Sequence, residues 1–393
     1  MSAGARRWLW AVLATGAAVH LAVLVGWRPI HFDLASWRIT QQGLAHHGLH
    51  VYSAVDGRLY RWPYPPLMFG WMGLSQGLDG LLGGHGFFYL VRLPSIAADI
   101  GIAWLVQDML GRRGAAANTR ILAAAAVALG PLFVAMSAHQ GQTDALAILP
   151  VLLALRTWER GDPGRAVRAG LLIGVGAGVK TVPLLALVAL LPGARGRREA
   201  ATLVGCALAV PLVLIAPFLV ADPHGVIRAL RYTGVPGVGG LSLVLQPDFA
   251  TFWLAHSPYG PNGAVRALSH VTALVLGAGL LALLATTVRR RTPPLQAMVL
   301  LWLTVYVLGV NFFLQYLIWG IPFFLVYGAV RKVLLLELAL TPALLLAYLH
   351  TSHTAVVWAL YTPWLIAAWV AFAIALIRAS HAGRERGRVA TAS

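Results

Sequence analysis

Residues 169–192 read AGLLIGVGAGVKTVPLLALVALLP, an apolar stretch long enough to cross a bilayer but interrupted in its middle by Lys180 and Pro183. A spanning helix needs about 20 mostly apolar residues, because backbone groups in hydrocarbon are satisfied only within the segment. Apolar runs recur along the whole chain of 393 residues, of which 59% are hydrophobic and 11% charged. A soluble domain has about 25% charged residues, so the composition indicates an all-α polytopic integral membrane protein.

About ten of the apolar runs fit full membrane crossings. They cover residues 8–26, 87–110, 119–137, 143–158, 200–220, 265–288, 295–312, 315–330, 333–350 and 354–378. Two further stretches, 66–82 and 169–192, contain Gly and Pro and fit an ordinary span less well. We expect both to be short re-entrant or broken helical segments, which are tolerated at membrane depth only inside protein or beside a wet cavity.

The basic residues predict the orientation of the chain. Thirty Lys and Arg stand against thirteen Asp and Glu, and 21 of the thirty fall in seven short segments at the ends of the apolar runs. These segments are 6–7, 112–120, 156–168, 195–198, 289–291, 331–332 and 378–388. Because short cytoplasmic loops collect Arg and Lys, we expect these segments and both termini to be cytoplasmic. A charge spread in this way, without one stripe interleaved with aromatics, excludes a nucleic-acid partner.

The remaining organisation of the chain is simple. The first apolar run follows Arg6 and Arg7 like a secretory signal, but it is long enough to span and has no convincing cleavage site, so we expect a retained helix. The single Cys206 excludes a disulfide framework and a CxxC metal site. We predict one transmembrane domain, 1–393, in which the long outer loops 27–65 and 222–264 form a cap over the site.

Asp33 is the first candidate for chemistry. It follows the first span in a segment whose Leu34, Trp37 and Leu44 have the spacing of an interfacial helix. Partial burial there would raise the pKa of the carboxylate and a nearby cation would lower it, so it suits a base acting on a hydroxyl at the membrane surface. Asp33 could equally well be the N-cap of that helix.

Four motifs in order carry a resemblance to a known class. The first is Asp33 with the interfacial helix, the Tyr52 region and YPPL at 64–67; the second is HQGQTDALAILPVLLAL at 139–155. The third is the stretch at 169–192, and the fourth is NFFLQYLIWGIPFF at 311–324. Together they resemble the GT-C class of membrane glycosyltransferases, its bacterial mannosyltransferase-like members in particular, and are similar to the enzyme that adds the first mannose of the GPI anchor.

The resemblance implies a GT-C type helical bundle in a bacterial inner or plasma membrane. It implies transfer of a sugar, with mannose favoured, from a polyprenyl-phosphate donor to a hydroxyl of a glycan, lipid or protein on the outer side, with Asp33 as catalytic base. The partners implied are this lipid-linked donor, the acceptor and the membrane lipids, and the sequence specifies neither a partner subunit nor an oligomeric state. No cofactor is required, in keeping with the lack of a nucleotide fold. The GPI enzyme carries Asp-x-Asp where this chain has His31, Phe32 and Asp33, so a divalent metal is not favoured.

Lys180 is the second candidate. A charged side chain at the bilayer centre costs roughly 2.5–3.5 kcal/mol and normally faces a cavity or a partner. In a lipid-linked transferase that partner would be the donor phosphate, whose developing negative charge the ammonium would offset. The alternative is snorkelling to the cytoplasmic interface, which about a dozen residues of helix between Lys180 and Arg168 disfavour.

Three arginines are further candidates for the donor phosphate. Arg92 lies two helical turns before Asp99 on one face, so an internal ion bridge between them competes with a phosphate contact. Arg228 and Arg231 lie on a short outer-loop helix, where they suit a phosphate clamp or interfacial snorkelling.

Several polar side chains suit the sugar, the acceptor or the lipid. Five residues carry amide, imidazole, phenol or carboxylate groups that could hydrogen-bond to a sugar or an acceptor. They are His139, Gln140, Gln142, Asp144 and Tyr64. Asp144 equally suits a helix cap. Gln315 and Tyr316 lie between two helices and either line a lipid groove or pack the helix ends. A metal bound by His46, His47 and His50 is not favoured, since no second carboxylate lies at helical spacing with them.

A transporter or lipid flippase is the competing class. Such proteins also use broken helices and buried charge near the midplane, usually as matching interruptions in two related halves. Only one such interruption with a Lys is present, at Lys180. The glycines Gly170, Gly174 and Gly178, four residues apart, predict close helix packing through small residues.

Overall fold

The computed structural model describes residues 1–26, 32–55, 62–232, 240–247, 263–310, 312–349 and 354–391. His31 and parts of the loops 27–65 and 222–264 lie outside these residues. All regular structure within the described part of the chain is helical, which confirms the prediction of an all-α polytopic membrane protein. The helices form two compact units, the first Met1–Leu184 with Arg195–Tyr232 and the second Leu185–Ala194 with Thr233–Ser393.

The first unit contains nine helices of eight residues or more among its described residues. They are α1 (Ala3–Gly26), α2 (Phe32–His47), α3 (Leu67–Leu81), α4 (Leu93–Arg112), α5 (Ala117–Ala128), α6 (Asp144–Arg160), α7 (Arg165–Val179), α8 (Arg197–Ala221) and α9 (Pro223–Leu230). Shorter turns are Gly48–His50, Val51–Val55, Phe87–Leu90, Pro131–Phe133 and the π-helix Val134–Gln140. Val182–Leu185 forms a 3-10 turn at the boundary of the two units.

The second unit contains five long helices among its described residues. They are α10 (Gly263–Arg290), α11 (Pro294–Leu308), α12 (Leu317–Val326), α13 (Val330–Leu349) and α14 (Thr354–Thr391). Shorter helices are Ala186–Leu190, Leu191–Gly193, Gly240–Leu245 and Leu314–Tyr316.

Six helical stretches of the described residues are long and apolar enough to cross a membrane. They are Ala3–Gly26, Phe87–Arg112, Ala117–Gln140, Arg197–Ala221, Gly263–Arg290 and Thr362–Ser380. They match six of the ten predicted crossings. The other four correspond to α6, α11, α12 and α13, so a count of about ten stays a prediction.

One end of the first unit carries three of the predicted cytoplasmic segments. Arg156, near the end of α6, pairs with Asp108 of α4 at 2.8 Å. Arg165, at the start of α7, pairs with Glu199 of α8 at 2.7 Å. The segments 112–120, 156–168 and 195–198 therefore meet at the same end of the unit, as their shared basic character predicts.

The stretch 169–192 is broken at Lys180, as predicted. The helix α7 ends at Val179, and Lys180 continues in extended conformation with φ −143° and ψ 146°. Gly170 and Gly174 allow α7 to pack closely against α8. A Cβ on Gly170 would lie 2.6 Å from Leu203 O, and a Cβ on Gly174 would lie 2.9 Å from Ala207 O. The prediction of packing through small residues is thus confirmed there. The stretch 66–82 contains one short continuous helix, α3.

Candidate active site

The end of the first unit away from the basic segments is organised around the connection between α5 and α6. The π-helix Val134–Gln140 ends at Gly141, whose φ of 73° lies in the left-handed region. A Cβ on Gly141 would also lie 2.7 Å from the Leu34 side chain and 3.2 Å from that of Arg92. Glycine is therefore required at this point of HQGQTD for both conformation and space. The reversed chain presents Gln142 and then Asp144, the first residue of α6.

Asp33 lies in the first turn of α2 and faces this connection. Its carboxylate is hydrogen-bonded to the Gln142 side chain. Trp37, four residues later on the same helical face, donates its indole N–H to Gly141 O at 3.0 Å. Two contacts thus hold α2 across the Gly141–Gln142 turn. The alternative that Asp33 only caps its helix does not account for the bond to Gln142.

Lys180 is bound to a carboxylate in the same place. Its Nζ lies 2.9 and 2.8 Å from the two carboxylate oxygens of Asp144 and 3.5 Å from Gln142 Oε1. The side chain is buried, at 4% exposure, and the ammonium lies 4.9 Å from the ring centre of Tyr64. Snorkelling of Lys180 towards the basic end is therefore wrong. A phosphate was its expected partner, whereas the partner in the structure is Asp144, which itself is more than a helix cap.

Close packing of α7 on α6 brings Lys180 to Asp144. A Cβ on Gly176 would lie 2.5 Å from Ala147 O, so a larger residue there would push the two helices apart. Because α7 stops one residue before Lys180, the lysine extends from a helix end at the level where α6 begins. The two residues are far apart in sequence, and only this pairing of helix ends joins them.

The electrostatic surroundings suit Asp33 to a base. Burial among protein groups raises the pKa of Asp33 to about 6, and Asp144 also raises it, while Lys180 and the bond to Gln142 lower it. The side chain nevertheless keeps part of its surface exposed. A carboxylate with this pKa is ionised at neutral pH yet accepts a proton more readily than an ordinary aspartate.

Tyr64 completes the cluster. Burial raises its pKa well above the ordinary value, and the negative charges of Asp144 and Asp33 add to the effect. The phenol therefore stays protonated and is a hydrogen-bond donor at neutral pH. Its backbone carbonyl accepts a bond from the Tyr52 hydroxyl at 2.8 Å, which ties the YPPL segment to the first outer loop.

Arg92 has partners other than those predicted. It is buried, and its guanidinium donates to backbone carbonyls. The acceptors are Phe88 O at 2.7 Å, Ala138 O at 2.6 Å and Leu24 O at 3.2 Å. Asp99 pairs instead with His20 Nε2 at 3.1 Å, so the predicted ion bridge between Arg92 and Asp99 is wrong. These carbonyls lie at or near helix ends, where they lack intrahelical partners, and they occupy at least three of the five N–H donors of the guanidinium.

The other predicted side chains lie apart from this cluster or at its edge. His139 and Gln140 are buried in the π-helix that precedes Gly141. Arg228 and Arg231 are exposed at the end of α9, and Tyr232, which follows them, influences Tyr64. The imidazoles of His46, His47 and His50 are exposed at and beyond the end of α2.

Gln315 and Tyr316 belong to the second unit, where both are partly buried in a 3-10 turn. The Tyr316 ring stacks on Trp319 with centroids 4.1 Å apart, and its carbonyl accepts the Tyr306 hydroxyl at 2.9 Å. Of the two roles predicted for Tyr316, these contacts favour packing of the helix ends.

Asp222 is a further residue of this region that the sequence did not single out. It caps α9 by accepting from Gly225 N at 2.9 Å, and it accepts from Ser53 N at 2.9 Å and Ser53 Oγ at 2.8 Å. The described parts of the two long loops are therefore joined. The Asp-Pro step at 222–223 predicts the helix cap. No feature of the neighbouring sequence predicts Ser53 as a hydrogen-bond partner of Asp222.

The comparisons with known proteins bear on the whole arrangement. The sequence pattern of glycosyltransferase family 87 matches residues 62–314, which include Tyr64, Gln142, Asp144 and Lys180 but not Asp33. No curated protein matches the chain. The matched family is a GT-C-type polytopic membrane glycosyltransferase family, so the resemblance to the GT-C class is confirmed. Because the match spans more than half of its length, the chain belongs to glycosyltransferase family 87.

Proposed function

We propose that the chain transfers a sugar, with mannose favoured, from a polyprenyl-phosphate donor to a hydroxyl of an acceptor on the outer side of the membrane. The observation that carries this proposal is the Asp33 carboxylate. It is partly exposed, held by Gln142, and has a pKa raised by burial to about 6. A base positioned in this way is what hydroxyl activation needs, and general-base catalysis contributes typically 10²–10⁴-fold to a rate.

The reaction is a single displacement. Asp33 accepts the proton of the acceptor hydroxyl while that oxygen forms a bond to the anomeric carbon of the donor sugar. The bond between this carbon and the phosphate oxygen breaks, and its electron pair leaves with the polyprenyl phosphate. Attack opposite the leaving group inverts the configuration, and the proton remains on Asp33 until solvent removes it.

Lys180 would stabilise the leaving phosphate, but not as a free cation. Two of its N–H groups point at Asp144, at 2.8 and 2.9 Å, while the third contact, to Gln142, is long at 3.5 Å. A phosphate oxygen would take the place of this weakest contact. The pair with Asp144 then holds the ammonium in position for the charge that develops on the leaving group.

In this arrangement, protonation of Asp33 would help Lys180 to stabilise the negative charge that develops on the leaving phosphate. Before reaction, Lys180 faces two carboxylates, Asp144 as its direct partner and Asp33 within electrostatic reach. When Asp33 takes the proton its charge disappears, so more of the field of Lys180 acts on the phosphate as that group gains negative charge. Tyr64, a protonated phenol beside both groups, would donate to the sugar or the phosphate.

The arrangement of charge along the first unit supports an outward-facing site. The arginines of three predicted cytoplasmic segments meet at one end of the unit. Asp144 begins α6 and Lys180 follows the last residue of α7, so both lie at the ends of these helices away from Arg156 and Arg165. Exposed Arg228 and Arg231 on α9 would meet the donor phosphate as it approaches from the interface.

The test is an assay of sugar transfer from mannosyl phosphoryl-polyprenol in proteoliposomes with the full chain. We expect Asp33→Asn to reduce turnover by about 100-fold or more. Asp162→Asn is the matched control, because Asp162 is half-exposed and its ion pair with Arg168 is loose at 3.8 Å. Turnover by Asp33→Asn close to that of the control would overturn the assignment of the base. Uptake of the lipid without a covalent product would favour a transporter.

A further inference from the structure

The second unit contains a cavity of about 210 Å³ between α10, α11 and α14. A single water needs only about 10–15 Å³ by the same measure, so the cavity accommodates a much larger group. Its lining combines polar side chains at one end, among them Thr286, Arg290 and Thr292, with apolar side chains such as Leu283 and Leu376. This is the lining expected for an amphiphilic ligand.

Gln296 is the most informative residue of the cavity. Its side chain lines the cavity and is only 9% exposed. Within the described ranges of the chain, no group is hydrogen-bonded to its amide. A largely buried amide is stabilised by a hydrogen-bond partner, and this amide faces the cavity, so it favours a polar group of a ligand inside the cavity.

The charge at the cavity is positive. The guanidinium of Arg290 lines it and is exposed, and among the described side chains and backbone it makes one hydrogen bond, from Nη1 to Ser380 O at 3.0 Å. Its other N–H groups remain available for an anion. The helix α11 begins at Pro294, between the lining residues Thr292 and Gln296, so the positive end of the helix dipole also lies here.

We infer that this cavity binds the phosphate headgroup of an anionic membrane phospholipid. The guanidinium of Arg290, the Gln296 amide and the first turn of α11 would receive the phosphate, and the acyl chains would leave along the apolar side chains of Leu283, Leu300 and Leu376. Basic pockets between transmembrane helices on the cytoplasmic side are recognised sites for such headgroups. The neighbouring segment 289–291 is one of those that the charge pattern places in the cytoplasm.

The experiment uses the full chain purified in detergent. Native mass spectrometry and thermal unfolding are recorded with added phosphatidylglycerol, phosphatidylcholine or inorganic phosphate. We expect phosphatidylglycerol to be retained and to raise the melting temperature, with little effect of phosphatidylcholine. Inorganic phosphate should neither reproduce the stabilisation nor displace the lipid. An equal response to inorganic phosphate would overturn the lipid assignment in favour of a free phosphate.

Two variants test the lining. Arg290→Gln removes the charge, and Gln296→Leu removes the amide while keeping the volume similar. Each should weaken the binding of phosphatidylglycerol about tenfold, the size of one lost charge-assisted hydrogen bond. The matched control is Arg331→Gln, since Arg331 is exposed on α13 of the same unit and does not line the cavity. Unchanged lipid binding in both lining variants would overturn the inference, whatever the outcome of the transfer assay.

Discussion

Lys180 and Asp144 form a buried ion pair, with the ammonium nitrogen 2.8 and 2.9 Å from the two carboxylate oxygens. Lys180 is 4% exposed and Asp144 0%, so water does not screen the pair. The two residues lie on different motifs, HQGQTD and GVKTVP. Their contact therefore explains why both motifs are needed at one site. It also makes the pair a sensitive place to perturb the molecule.

Asp144→Asn should destabilise the protein strongly. Removing one partner of a buried ion pair leaves an uncompensated charge and costs about 3–5 kcal/mol. The measurement is thermal unfolding of the full chain in detergent, with Asp162→Asn as control, because exposed pairs contribute only about 0–1 kcal/mol. Equal melting temperatures for the two variants would contradict the importance of the pair.

The double variant Asp144→Leu with Lys180→Met provides a second test of the same pair. Replacing both charges by apolar groups removes the desolvation cost together with the attraction, so the double variant should be more stable than Asp144→Asn. Its sugar transfer should nevertheless be strongly reduced if Lys180 serves the leaving phosphate. A double variant less stable than Asp144→Asn would show that the cavity around the pair needs polar groups.

The rate of transfer should depend on pH through Asp33. Burial raises the pKa of this group to about 6, against the lowering effect of Lys180. Because the base is active when ionised, kcat/KM should rise with pH through about 6 and level off above it. Lys180→Met removes the cation that lowers the pKa, so the rising limb should move to higher pH. If the pH dependence of the Lys180→Met variant were unchanged, Lys180 would not influence the pKa of Asp33.

Asp33→Asn should stabilise the folded protein at neutral and higher pH. The folded-state pKa of about 6 lies above the ordinary 3.8, so the folded state holds this proton more tightly than the unfolded chain. Stability is then lost as pH rises from about 4 to 6, and the neutral Asn avoids that loss. The melting temperature of the variant should exceed that of the wild type at about pH 8 and equal it near pH 4. A lower value at pH 8 would contradict the direction of the pKa shift.

Gly141→Ala should abolish activity for a conformational reason. The φ of Gly141 is 73°, and a Cβ there would lie 2.7 Å from Leu34 Cδ2. The substitution must therefore displace the buried side chain of Leu34, which lies next to Asp33 on α2. Gly161→Ala is the matched control, because Gly161 has the same φ of 73° but its Cβ would meet only a flexible Arg195 side chain at 3.3 Å.

Both glycine variants should lose about 1 kcal/mol of stability from the backbone conformation. Only Gly141→Ala should also lose most of its sugar transfer. Comparable activity in the two variants would show that the Gly141 turn does not position Asp33.

The candidate site was largely predictable from motifs at helix ends. Asp33, Tyr64, Gln142, Asp144 and Lys180 were each selected from the sequence, and the structure brings all five together. Polar residues next to apolar helices must face a cavity or one another, so their type and position identify them without knowledge of the packing. Gly141 is likewise explained by the turn that it makes.

The partners of buried charges were less predictable. The spacing of Arg92 and Asp99 predicts that they share one face of a helix. It does not show whether residues of other helices bind these two side chains instead. His20 of α1 lies against Asp99, and the carbonyl groups near three helix ends surround Arg92. Both contacts join segments distant in sequence, which periodicity within one helix cannot reveal.

The helical membrane class, the break at Lys180 and the clustering of basic segments follow from the amino-acid sequence, because the length of an apolar run, a proline and a charge act locally on the chain. Which acid meets Lys180, and how α2 brings Asp33 to Gln142, depends on the packing of the helices. Those contacts depend on how closely α7 approaches α6 at Gly176 and on the Trp37–Gly141 bond that holds α2 in place. A buried charge takes the partner that packing brings within hydrogen-bond distance, and packing is a property of the assembled helices.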